Sequence, residues 1–134
     1  MPPAERRGAM SRNAFEMTLP REAQSGNALA YSHWRVHYRD KMAWKFLMGS
    51  AIARADVMPV RATGPRHVTF TAYRKRRLDD DNLIAGLKHC RDMLVHFGLL
   101  VDDSRQWAAF TYAEDVASKS PTGKPCTRIT IEEA

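Results

Sequence analysis

The chain has 134 residues, 44% of them apolar, with 21 Lys and Arg against 15 Asp and Glu for a formal charge of +6. That is one domain of ordinary size, able to bury a core without disulfides. The two cysteines, Cys90 and Cys126, have no zinc spacing, the apolar segments are too short and charged to span a membrane, and the N-terminal MPPAERRGAMSR lacks the apolar run of a secretory leader.

Residues 1–12 are rich in Pro, Arg and Ala, lack periodicity and read as a flexible tail; residues 13–134 read as the single domain. Residues 13–19 alternate, with Phe15, Met17 and Leu19 on one face, which predicts a strand that Pro20 ends. Residues 28–55 contain no proline and predict a long helix, although its early part, 32–39, also reads as a loop. Trp34, Tyr38 and Met42 recur every fourth residue and lead into an apolar stripe of Trp44, Leu47, Met48, Ala51, Ile52 and Ala55, while Arg35, His37, Arg39, Lys41, Lys45 and Arg54 make the rest basic. Pro59, Gly64 and Pro65 mark a turn, and residues 67–73 alternate as a second strand.

A second helix is expected over 82–97, where Leu83, Leu87, Cys90, Leu94 and Phe97 fall on one stripe and Lys88 and Asp92 nearly opposite it. Gly98 is its stop. Residues 107–113 and 126–131 read as strands separated by a polar loop over 114–125. The order β-α-β-α-β-β predicts an α+β (mixed α/β) fold: about four strands in a mixed sheet with two main helices.

Between the second strand and second helix, Arg74, Lys75, Arg76 and Arg77 abut Asp79, Asp80 and Asp81. Four cations in a row attract a polyanion. The carboxylates and Asn82 have two readings. Asp and Asn are preferred N-caps and favour a helix start electrostatically. Three carboxylates in series also repel one another unless a hard cation such as Mg²⁺ sits among them. Asp102 and Asp103 form a turn signal, or a second acidic group should the ends of adjacent strands meet at one sheet edge. The histidines have no triad or metal-ligand spacing, no Gly-rich phosphate loop is present, and Cys90 lies in the core stripe, which argues against a cysteine nucleophile.

The stretch LDDDNLIAGLKHCRDMLVHFGLLVDDS resembles the RusA-type Holliday-junction resolvases, a family common in phages and prophages. The matching elements are the basic run, Asp79-x-Asp81-Asn82, Lys88-x-x-x-Asp92-x-Leu94, Gly98 and Asp102-Asp103. More loosely, the N-terminal strand ending in proline, Asn27, the long basic helix and the closing strand follow the same frame. The resemblance implies a homodimeric, Mg²⁺-dependent endonuclease (Mn²⁺ substituting) for branched DNA such as the four-way junction, acting in DNA recombination and repair. It implies catalytic Asp79, Asp81, Lys88 and Asp103, with the three aspartates holding metal. The sequence departs from the family at Ala85, where the best-known members carry the lysine; Lys88 comes three residues later, about 4.5 Å along a helix and on roughly the same face.

The expectation is therefore a cytoplasmic nuclease of a bacterial or phage-infected cell, without membrane association. Arg74, Lys75, Arg76, Arg77, Asn27, Arg35 and Arg39 are its expected DNA contacts. Two other readings stand beside it: a basic DNA-binding module of the same fold without cleavage, and a nuclease for flaps or forks.

Overall fold

β1 (Phe15–Leu19), β2 (Arg66–Arg74), β3 (Ala108–Val116) and β4 (Cys126–Glu133) form one mixed sheet in the order β1-β4-β2-β3. These elements come from a computed structural model, which describes residues 15–30 and 32–134. The expected tail over 1–12, with Arg6, Arg7 and Arg12, and the first two residues of the first expected strand lie outside them. β4 runs antiparallel to both β1 and β2, whereas β2 and β3 are parallel. The fold is α+β, as the sequence pattern predicts.

The pairing register explains why the strands alternate. One row across the sheet is Met17, Ile129, Phe70 and Tyr112; a second is Phe15, Ile131, Val68 and Phe110. These rows share one face because side chains alternate with period two. They pack on Trp44, Met48, Leu83, Leu87, Cys90 and Leu94 from the helices. The opposite face carries Glu16, Thr18, Thr69, Thr71, Arg128 and Thr130, none of them buried. The sheet is thus covered on one side by helices, and fully burying each core side chain contributes about 1.5–3 kcal/mol.

The long first helix is divided. A short α1 (Gly26–Ala30) precedes α2 (Trp34–Ala53), whose start is fixed by His33: its ring nitrogen accepts from the Arg35 N–H at 3.2 Å. The buried residues of α2 are Asp40, Trp44 and Met48. Trp34, Tyr38 and Met42, which by spacing alone join the apolar stripe, are exposed instead. Trp44 and Met48 supply the apolar contact of the buried face, and Asp40 is buried there with Arg21 as its partner at 2.7 Å, while an aromatic row is left outside.

The second expected helix is also two segments, α3 (Asp80–Gly86) and α4 (Lys88–His96), with Leu87 between them at φ −97°, ψ 5°. Gly86 sits where a Cβ would lie 1.7 Å from the Gln24 carbonyl oxygen, so the chain before α1 presses against the helix at its break. The predicted stripe nevertheless holds: Leu83, Leu87, Cys90 and Leu94 are buried and Phe97 packs against them. Gly98, at φ +75°, stops α4 with the Leu99 N–H donating to the Leu94 carbonyl and its own N–H to that of Val95, a Schellman motif. β3 continues past the expected 107–113 to Val116 because Ala72–Arg74 of β2 offer three more partners, and a 3₁₀ turn (Ala117–Lys119) shortens the polar loop. No helix among the described residues is long and apolar enough to cross a membrane.

Candidate functional site

β2 delivers the chain into the charged segment, and two carboxylates from elsewhere fix its path. At the last inward-facing row, Leu19, Thr127, Ala72 and Glu114 are in register. Glu114, with its side chain only 6% exposed, accepts from the Leu78 N–H at 2.8 Å and pairs with Arg77 at 3.4 Å. From the other side Glu22 accepts from the Lys75 N–H at 2.8 Å. Neither glutamate carries a local sequence signal for this role; each acts on residues more than 35 positions away.

Arg74, expected as a DNA contact, is engaged by its own protein: its guanidinium donates to the carbonyls of Ala23 and Arg76. Lys75, Arg76 and Arg77 are exposed, so three cations of the run of four face solvent. Arg77 keeps 75% of its side chain exposed despite Glu114, which makes that pair weak.

Asp79 is the N-cap of α3, its Oδ1 accepting from the Asn82 N–H at 3.0 Å. The capping reading therefore holds for this residue. It accounts for one carboxylate of three. Asp80 and Asp81 are exposed in the first turn, where their charge also suits the helix dipole. Asn82 reaches outward: its Oδ1 accepts from the backbone N–H of Asn27 at 2.8 Å, joining α1 to the acidic turn. The contact is close because residue 26 is glycine; a Cβ there would lie 2.5 Å from that of Ala85 and 3.1 Å from the Asn82 carbonyl oxygen. The structure thus brings together Asn27, Asp79, Asp80, Asp81 and Asn82 beside three exposed cations. Ala85 is part of the α1–α3 approach, and Lys88 is exposed at the first position of α4.

Asp103 is placed differently. Because β2 and β3 are parallel, with Arg66 opposite Ala108 and Arg74 opposite Val116, the acidic turn follows one end of the pair and Asp102-Asp103 precede the other. Asp103 Oδ2 lies 3.8 Å from Arg91 Nε on α4. Arg91 in turn covers the Phe110 ring at 5.2 Å and donates to Tyr112 Oη at 3.3 Å. Among the described residues no group of three or more His, Cys, Asp or Glu side chains is arranged to hold a metal ion. The donor chemistry of Asp79 and Asp81, hard carboxylate oxygens at the surface, suits Mg²⁺; the carboxylate from outside the triplet that reaches this segment is Glu114, at the Leu78 N–H.

No known family model matches the chain, and no curated protein does.

Two titrating groups near the site are perturbed. His89 Nε2 lies 3.2 Å from His37 Nδ1 across the α2–α4 contact, and burial pulls the His89 pKa down, opposed by Asp40. Burial pushes the Cys90 thiol up, Asp40 adding to the effect, so the thiolate needed for nucleophilic chemistry is suppressed. Arg35 and Arg39, expected to contact DNA, are exposed on α2.

Proposed function

We propose that this chain is a Mg²⁺-dependent endonuclease acting on branched DNA such as the four-way junction, in recombination and repair within the cytoplasm. The observation that supports it best is the acidic turn itself. Asp79 and Asp81 stand at the surface one residue, Leu78, beyond Lys75, Arg76 and Arg77, and Glu114, Glu22 and Asn27 hold that segment in place. Surface cations bind backbone phosphate, and carboxylates beside them put hard oxygen donors where a scissile phosphate would lie.

Asp79 and Asp81 are the residues that would hold Mg²⁺, or Mn²⁺ in its place. Such an ion, when bound, supplies an activated water and neutralises charge on the phosphate. Lys75, Arg76 and Arg77 bind and orient the backbone. Lys88 is assigned a supporting positive charge toward the leaving oxygen. Asp103 is carried in this reading by the resemblance alone, since it precedes the opposite end of the strand pair and faces Arg91. The homodimer rests on the same resemblance; two sites related by a two-fold axis suit paired cuts in a junction.

The separation of Asp103 favours a second reading, a DNA-binding module without cleavage. A nicking assay with labelled four-way junction, flap and fork substrates in Mg²⁺ decides between them. The nuclease reading expects cuts in the junction that Asp81→Asn abolishes while binding persists. Retained binding with no cuts by the wild type establishes the second reading, and preferential cutting of flaps or forks shifts the substrate.

A further inference from the structure

Four large apolar side chains stand on the outer side of α2 at every fourth position: Trp34 is 64% exposed, Tyr38 56%, Met42 37% and Phe46 63%. Their spacing mimics a core stripe, yet the core face of the helix is the one with Asp40, Trp44 and Met48. Between them on the same side lie Arg35, Arg39, Lys41 and Lys45. At about 100° per residue the eight fall within an arc of roughly 160° that contains no acidic residue of α2. Arg35 lies over the Trp34 ring at 5.7 Å. Alongside runs an open groove of about 480 Å³, walled by Tyr38, Met42 and Lys45 on α2 and by Asp92, Met93 and His96 on α4.

We propose that this face of α2 binds single-stranded DNA, with unpaired bases stacking on Trp34, Tyr38 and Phe46 and phosphates paired with Arg35, Arg39, Lys41 and Lys45. An exposed apolar row of this size is unusual and points to an occupant. Charge selects which. A second copy docked through the same face would set four cations against four, whereas a polyanion meets all of them favourably. Spacing selects further. Trp34 and Tyr38, four residues apart, rise by about 6 Å along the helix, and Phe46 stands about 12 Å further on. Charges along one strand of a duplex are about 3.4 Å apart and its bases are closed in the stack. Rings set nearly twice as far apart suit bases already spread out, and stacking on aromatic side chains is how sequence-tolerant single-strand binding gains affinity. The inference rests on the reading of the chain as a DNA binder and is independent of cleavage; a strand opened at a branch point would supply such bases.

The test is fluorescence anisotropy in EDTA, so that cleavage plays no part, with labelled oligo(dT), a duplex of equal length and a four-way junction as probes. Trp34→Ala and Phe46→Ala replace exposed side chains and leave the core intact. Each should weaken oligo(dT) binding roughly 5- to 150-fold, the range expected for loss of one base–aromatic stack, with duplex affinity unchanged. Trp34→Tyr should restore most of the loss. Arg35→Ala with Arg39→Ala should weaken all three probes and flatten the salt dependence. Equal oligo(dT) affinity for wild type and the aromatic variants overturns the proposal. So does a dimer on gel filtration that Trp34→Ala dissociates without altering DNA binding, because the face then docks a second copy. Binding to junction but not to oligo(dT) overturns this inference alone, whereas loss of binding to every probe removes the DNA-binding reading with it.

Discussion

The backbone N–H of Asn27 donates to Oδ1 of Asn82 at 2.8 Å, joining α1 to the acidic turn across 55 residues of chain. Asn82 also gives its own N–H to Asp79, so one residue links the α1 backbone, the cap and the helix. Asn82→Ala keeps the second bond and removes the first. It should cost about 1 kcal/mol, the usual net worth of one such bond, and lower Tm by about 3–5 °C in a chain of this size. Junction cleavage should fall more than binding, because the Lys75–Arg77 segment is untouched while the carboxylates lose their brace. Thermal melts and single-turnover rates read the two effects separately; an unchanged rate would show that α1 does not position the turn.

Glu114 makes a stronger case. It holds both the Leu78 N–H and the Arg77 guanidinium, and its side chain is 6% exposed. Glu114→Ala strands the Leu78 N–H and should cost about 1–3 kcal/mol. Glu114→Gln keeps an oxygen for that N–H and should recover most of the stability. If Glu114 positions the turn, Gln should also recover the cleavage rate, whereas a rate that stays low in the well-folded Gln variant would tie activity to the charge facing Arg77.

Much of this architecture is legible in sequence because it is local. The alternation through Val68, Phe70 and Ala72, the stripe of Leu83, Leu87, Cys90 and Leu94, and Gly98 as a stop all depend on near neighbours, and the structure keeps each of them. What escapes is decided at a distance. Periodicity finds apolar rows on α2 but does not say which turns inward; in the fold it is the row of Trp44 and Met48, where Asp40 meets Arg21 from outside the helix. The break at Leu87 lies beside Gly86, where the Gln24 carbonyl comes too close for any Cβ, an approach made from more than sixty residues away. The clustering of the acidic triplet with the basic run is plain from residue order, while Glu114, Glu22 and the place of Asp103 follow from strand pairing, which no local pattern encodes.

Arg66 belongs to that long-range class. Its side chain is 2% exposed and donates to the Leu99 carbonyl at 2.9 Å and the Val60 carbonyl at 2.7 Å, with Glu133 at 3.2 Å. It thereby ties the segment before β2, the turn after α4 and the end of β4 to one point. Arg66→Ala leaves the buried Leu99 carbonyl without its donor, at about 1–3 kcal/mol, while the Val60 carbonyl and Glu133, both nearer solvent, find water and add less. Arg66→Lys should recover only part, since an ammonium lacks the planar fork that serves several acceptors at once. Urea unfolding should show a lower midpoint with an unchanged slope for both variants, Ala below Lys. Equal midpoints for Lys and wild type would show that the charge alone suffices.

The burial of His89, beside His37, makes stability depend on pH. Their ring nitrogens are 3.2 Å apart, so one donates and the other accepts, which a doubly protonated pair cannot do. The groups that set the His89 pKa are burial, Asp40, His37, Asp92 and Lys88, in decreasing order; the net effect lowers it below its ordinary value of 6.5. A lowered pKa means that the folded protein binds fewer protons at His89 than the unfolded chain does in this range. By linkage stability then rises with pH through the window. Read downward, the loss begins as pH falls through 6.5 and is complete once the folded-state pKa has been passed; above 6.5 this group contributes no slope. Unfolding free energies measured by urea at intervals from pH 8 to 5 should be level at the upper end and decline at the lower. His89→Gln should remove part of that decline, leaving the portion due to other groups. A wild-type profile that is flat, or that rises on acidification, would mean that His89 is not buried in solution.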